Sequence, residues 1–291
     1  MDYGLALPSL GDDATLAGIE ASIDIAARHG FTDVWATDHI LVGHDAAEDY
    51  GRIYEAVTTL AWAAARTDTL RLGASVIVVP MREPVLLAKQ LATLDALSRG
   101  RLIAGMGVGW NRLEFSNVGA ADRFHVRGAY LEETIRLCRH LWSGSTEPFR
   151  GRFVEFENFV FQPLPDQGAA LPIWIGARDE RALARVGRLA DGYHASASSP
   201  ESYAQRIPVI RAAAEAAGRP MPRLSARARV EVGGERQPFY TMHGSPEEVA
   251  GEIGKFAALG VDHLVLVFQP RDPDGLGEAV EQFWREVVPL V

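Results

Sequence analysis

Only one cysteine, Cys138, occurs in the 291 residues. A disulfide within the chain is therefore excluded, and a reducing compartment suits the sequence. Cys138 lies in YLEETIRLCRHLW, a run of helical period, and reads as a buried, inert thiol. No apolar run approaches the ~20 residues that cross a bilayer. The chain begins on MDYGLALP, without a basic segment followed by an apolar one, so no secretory leader is expected and the cytoplasm is the expected location. Blocks of Lys or Arg are also missing, and the formal net charge of −9 repels nucleic acid and anionic membranes in bulk. An anionic ligand would need a local pocket of backbone N–H groups or a few arginines.

What is present suits a soluble globular protein. Hydrophobic residues make up 47% and charged residues 23% of the chain, ample material for a large core. The length permits two domains, but strand–helix barrels reach this size as one unit, and no linker or longer repeat divides residues 1–291. Strand-like runs fall at 3–7, 33–37, 71–77, 101–106, 173–175, 192–195, 224–232 and 263–268, with amphipathic helical patterns between most of them. The run 15–29 places Leu16, Ile19, Ile23 and Ala27 on one face and ends at Gly30, and 84–98 carries Leu87, Leu91 and Leu94 and ends near Gly100. Ser245-Pro246-Glu247-Glu248 spells a capping box before Val249, Ile253 and Phe256. Eight strands alternating with helices predict a (β/α)8 TIM barrel, with an open doubly wound sheet as the alternative. Two connections are long, 40–53 and 144–171. The second, between the fourth helix and the fifth strand, contains GRFVEFENFVFQPLP, which predicts an inserted hairpin.

In such barrels the active site gathers at the C-terminal ends of the strands. There the apolar run VWATDHILV stops on Asp38-His39, a carboxylate beside the side chain that titrates near neutrality. The third strand runs into GASVIVVP, the fourth into GMGVGWNRLEF, the fifth into IGARDE and the sixth into HASASSP. Gly105, Gly107 and Gly109 allow backbone to pass close to a flat ligand or a phosphate, though their spacing is not a dinucleotide fingerprint and a structural tight turn reads equally well. Gly176-Ala177-Arg178 precedes a helix beginning near Glu180, a place that attracts anions; the bland alternative pairs Arg178 with Asp179 in a solvated turn. His44, Asp45, Glu48 and Asp49 match no metal-ligand spacing and read as a solvated lid loop.

The assembly of WATDHI, GASVIVVP, RLIAGMGVGWNRLEF, RFVEFENFVFQPLP and LPIWIGARDERALARVGRLADGYHAS resembles the bacterial luciferase-like superfamily. Within it, the chain looks like the branch of oxidoreductases that use the deazaflavin coenzyme F420. The likeness runs from Gly4 to about Ala195. It implies a barrel whose mouth holds the deazaflavin, with His39 as the acid/base residue and Asp38 at the ring, able also to favour or orient the His39 imidazolium. It further implies a cis peptide bond at Ser75-Val76 whose bulge supports the ring, a lining from Gly107, Val108 and Gly109, and a phosphate end at Gly176, Ala177 and Arg178. Ala177 departs from the second glycine of many relatives. With no equivalent found for the basic cluster of the sugar-phosphate dehydrogenases, sugar-phosphate oxidation is not expected. Trp110, Trp35 and the Phe-rich insertion offer apolar walls for a small organic substrate, Trp110 foremost. The expected reaction is hydride transfer between F420 and that substrate. The alternatives are a flavin mononucleotide (FMN) monooxygenase and a non-catalytic cofactor-binding barrel. Homodimers are common in the family, yet no exposed helical face reads as an interface.

Overall fold

Twelve strands are found among the described residues: β1 (Asp2–Ala6), β2 (Asp33–Ala36), β3 (Arg71–Ala74), β4 (Ile77–Val78), β5 (Leu102–Gly107), β6 (Phe149–Arg150), β7 (Glu155–Phe156), β8 (Ile173–Ile175), β9 (Gly192–Ser196), β10 (Arg223–Val232), β11 (Thr241–Gly244) and β12 (His263–Phe268). The structure is a computed structural model describing residues 1–12, 14–235, 237, 239–269 and 272–291. Neighbours pair in parallel in the order β1, β2, β3, β5, β8, β9, β10, β12. β12 then returns to β1, with Tyr3 opposite Leu264, so the sheet closes. Closure excludes the open sheet and makes the fold a (β/α)8 barrel. β4 extends the line of β3 against β5, and β11 adds to β10 outside the ring.

The predicted strand 71–77 is interrupted after Ala74, and the Ser75-Val76 peptide bond is cis. Helices lie between the strands because each carries one apolar face. Leu16–Arg28 starts at Thr15, whose side chain accepts from the Gly18 N–H at 3.0 Å. Its buried face is Ile19, Ser22, Ile23 and Ala26, not the predicted set ending in Leu16 and Ala27; Leu16 is half exposed. Ser22 joins that face because its hydroxyl donates to the Gly18 carbonyl at 2.7 Å. Pro84–Leu97 buries Leu87, Leu91 and Leu94 as predicted. The capping box at Ser245 forms in both directions, and Val249, Ile253 and Phe256 of that helix are fully buried.

Between the helix Arg127–Trp142 and β8, the strands β6 and β7 form an antiparallel pair. The buried carboxylate of Glu133 ties this hairpin down, accepting from the N–H groups of Arg152, Phe153 and Val154 at 2.6, 2.7 and 2.9 Å. Inside the barrel Trp35, Ile103, Trp174 and Val265 pack together. Gly73 is required opposite them, since a Cβ there would run into the Trp35 ring.

Candidate active site

Asp38, His39, Ser75, Val76, Gly107, Val108, Gly109, Trp110, Gly176, Ala177 and Arg178 all line one cavity of about 610 Å³ at the C-terminal ends of the strands, whereas Gly105, His44, Asp45 and Glu48 do not. Asp38 and His39 enter from β2, Ser75 and Val76 from the break between β3 and β4, and Gly107, Val108, Gly109 and Trp110 from β5 and its loop. Gly176, Ala177 and Arg178 follow β8.

The partner of His39 is a residue that the sequence did not announce. Glu114, fully buried, accepts from His39 Nδ1–H at 2.8 Å, and its other oxygen accepts from the Ile40 N–H at 2.6 Å. Asn111 presents it by capping the short helix Arg112–Asn117, its side chain accepting from the Glu114 N–H at 3.1 Å. Burial alone would raise the Glu114 carboxyl, but the hydrogen bonds from His39 and Ile40 outweigh it and hold the group below its ordinary value. An ionised carboxylate only accepts, so it fixes the proton on Nδ1 and leaves Nε2 as the working nitrogen of neutral His39. The Tyr50 and Trp110 rings stand 4.3 and 6.0 Å from the imidazole.

Among the described residues no hydrogen bond joins Asp38 to His39. Arg82 grips Asp38 with two donors at 2.8 and 2.9 Å, and the Val78 N–H donates to it at 2.8 Å. Arg82 also reaches Glu55 at 2.8 Å. Burial would depress the Arg82 guanidinium, and the carboxylates of Asp38 and Glu55 reverse that and hold it raised. The orienting role expected of Asp38 thus falls to Glu114, because Asp38 is consumed in closing the loop after β4.

Val76 is flanked by two glycines. A Cβ on Gly107 would overlap its Cγ2, and one on Gly176 would lie 3.3 Å from its Cγ1. Glycine at both positions leaves room for the Val76 side chain at the cavity. At the other end, the Gly176 N–H is committed to the Met106 carbonyl at 3.1 Å, while those of Ala177 and Arg178 meet no acceptor among the described residues. Arg178 donates to the Ser196 carbonyl at 3.1 Å and makes no pair with Asp179, which instead caps the helix Glu180–Leu189. Arg127, Arg227 and Arg229 also line the cavity, with Asp38, Asp49 and Asp179. Four arginines thus meet three aspartates in the cavity of a chain of net charge −9.

Two expectations fail. Trp35 is 1% exposed and belongs to the barrel interior, not to the cavity wall. Of the insertion's rings, Phe149, Phe156 and Phe159 gather around His140, away from the cavity. The aromatic lining comes from Trp110, 60% exposed, with Tyr50, Phe239 and Tyr240. Cys138 is buried as expected, and burial pushes its thiol up to about 12.

The model of the luciferase-like monooxygenase family matches residues 4–238. The chain belongs to that family. Among the curated relatives of this luciferase-like chain is the F420-dependent glucose-6-phosphate dehydrogenase of Kineococcus radiotolerans, 29% identical over 217 residues. That match covers 73% of this chain and 63% of the relative, so the chain spans less than two thirds of the relative's length. Among solved structures, the coenzyme F420-dependent tetrahydromethanopterin reductase of Methanopyrus kandleri superposes with a TM-score of 0.81 at 20% identity, covering 99% of this chain and 98% of that one. The oxygenating constituent of 3,6-diketocamphane monooxygenase from Pseudomonas putida, in complex with FMN, gives 0.81 at 16% identity, covering 100% and 98%. These structural likenesses show the fold, which the F420-dependent reductase and the FMN-bound monooxygenase share with this luciferase-like chain.

Proposed function

We propose that the protein is an F420-dependent oxidoreductase that moves a hydride between the deazaflavin and a small organic substrate. The observation that carries this is His39, held by buried Glu114 with one nitrogen left for the cavity. It is supported by the F420-dependent relatives and by the fit of the cavity to the cofactor. The glycine-flanked surface at Val76 suits a planar ring, and the free N–H groups of Ala177 and Arg178 with the Arg178 guanidinium suit a phosphate.

When bound, the deazaflavin supplies the hydride acceptor or donor. The chain supplies the rest. His39 Nε2 takes the proton from a substrate hydroxyl as hydride leaves, or returns it in the opposite direction. Glu114 stabilises the imidazolium formed at that moment, at 2.8 Å and away from water. Trp110 and Tyr50 cover the imidazole and give an organic substrate an apolar wall.

The test is a panel of small alcohols and ketones with F420, following cofactor absorbance and dissolved oxygen together. Change in the deazaflavin without oxygen uptake supports the proposal. Oxygen uptake that depends on reduced FMN, with F420 inert, overturns it in favour of the monooxygenase reading.

A further inference from the structure

The barrel interior holds polar groups that the mechanism above does not use. Starting below the cavity, Ser75 Oγ lies 2.8 Å from His194 Nε2, and His194 Nδ1 lies 2.8 Å from Ser225 Oγ. Ser225 Oγ lies 2.8 Å from His263 Nδ1, and His263 Nε2 lies 2.9 Å from Asp33 Oδ1. Ser75 and His194 line the cavity. At the opposite end of the barrel, the other oxygen of Asp33 accepts from Thr32 and from Arg71, each at 2.8 Å. The links are buried, and Trp35 stacks on His194 at 4.6 Å and 11°, sealing the chain from the side.

Hydrogen-bond direction along this line is determined by its ends. The Asp33 carboxylate only accepts, so His263 carries its proton on Nε2 and its Nδ1 accepts. Ser225 therefore donates to His263 and accepts from His194 Nδ1–H. His194 Nε2 is then bare, and the Ser75 hydroxyl donates to it, leaving Ser75 Oγ as an acceptor toward the cavity. Adding one proton to His263 Nδ1 reverses every link, since Ser225 has a single proton to give. His263 then donates to Ser225, Ser225 to His194 Nδ1, and His194 Nε2–H to Ser75, whose own O–H turns to the cavity.

We propose that this chain is a one-proton relay between the cavity floor and the His263–Asp33 pair. A cavity acid gives a proton to Ser75 Oγ as the Ser75 proton passes to His194 Nε2. The Nδ1 proton of His194 passes to Ser225 Oγ, and the Ser225 proton passes to His263 Nδ1. At each link one O–H or N–H bond breaks and one forms. The acid is left as its conjugate base, the excess proton rests on His263 against the Asp33 carboxylate, and nothing is oxidised or reduced. The reverse sequence returns the proton.

The charged groups around the chain suit this. Asp33 faces His263 directly, Asp2 acts on it from β1, and Arg71 and Arg223 hold those carboxylates from β3 and β10. His194 faces His263 and Arg227; burial first, then these two cations, depress its pKa to about 3, so it stays neutral and transmits a proton without keeping it. The relay does not rest on the proposed function.

The experiment is ¹⁵N-histidine NMR on the whole protein across a pH titration. In the wild type, His263 gains its second proton and the protonated nitrogen of His194 moves from Nδ1 to Nε2 at the same midpoint. In Ser225→Ala the coupled switch is lost, and in Ser225→Thr, which keeps the hydroxyl, it is retained. A wild-type His194 whose tautomer does not change while His263 charges overturns the proposal, even if Ser225→Ala fails to fold. A histidine ladder that is only structural predicts that result. Adding F420 to the same sample separates the two claims: failure to bind removes the F420 reading and leaves the tautomer result intact.

Discussion

At the scale of single residues, the site depends on which carboxylate meets which cation. His39→Ala should lower turnover by about 10²- to 10⁴-fold, the usual worth of a placed general acid/base, with F420 affinity little changed. Steady-state kinetics beside a binding titration check both halves; unchanged turnover would retire the residue from catalysis. Glu114→Gln keeps the shape and removes the charge beside the imidazole. Turnover should fall by about 10²-fold, because the imidazolium formed as the proton moves loses its buried counter-charge at 2.8 Å. Turnover equal to the wild type contradicts the role given to Glu114. Adjacent Asp38 and His39 were legible as a candidate pair, but their pairing was not. The separation of 75 positions from His39 to Glu114 hides the contact, and Asp38 and Arg82 are separated in the same way. The one sequence signal that could have found Glu114 is Asn111, a capping residue that starts a helix at the barrel mouth with Glu114 in its first turn.

At the scale of elements, Arg82 links three pieces of chain. It binds Asp38 just past the end of β2, follows β4 after the 3-10 turn Val79–Met81, and holds Glu55, which caps the helix Ala56–Arg66 by accepting from Thr58 at 2.7 Å. Removing it in Arg82→Ala leaves the Asp38 carboxylate buried without its cation, which should cost about 3–5 kcal/mol in a urea melt. A loss below about 1 kcal/mol would mean that the clamp is dispensable. The capping box before Pro246–Ala258 is exposed and local, so Ser245→Ala should cost only about 1 kcal/mol. That difference also explains what sequence reading could reach. Caps and apolar faces lie within one or two turns, so the helix starts at Thr15 and Ser245 were legible. Ser22 was not, because its burial depends on a hydroxyl turned back to Gly18, which no hydrophobic period records.

At the scale of the whole molecule, eight alternating units pointed to the barrel, but closure rests on β12 meeting β1 across 261 positions of chain and no local pattern carries it. The same long-range meeting brings His263 to Asp33. Burial alone would raise the Asp33 carboxyl; the hydrogen bond and charge of His263, with Arg71 and Trp35, outweigh it and hold the group well below its ordinary value. A depressed carboxylate contributes stability that is present above its unfolded pKa of about 3.9 and is lost as pH falls from there toward the folded value. Acid unfolding should therefore steepen below about pH 4, and Asp33→Asn should flatten that limb; an unchanged limb would assign acid sensitivity elsewhere. The central claim is that this luciferase-like barrel holds F420, and titration of the purified protein with F420 and separately with FMN tests it most directly, read by ligand fluorescence and thermal unfolding. F420 should bind saturably with a rise in melting temperature, worth about 2.7 kcal/mol at a hundred times Kd, and FMN should give no rise. Stabilisation by FMN with F420 without effect would contradict it.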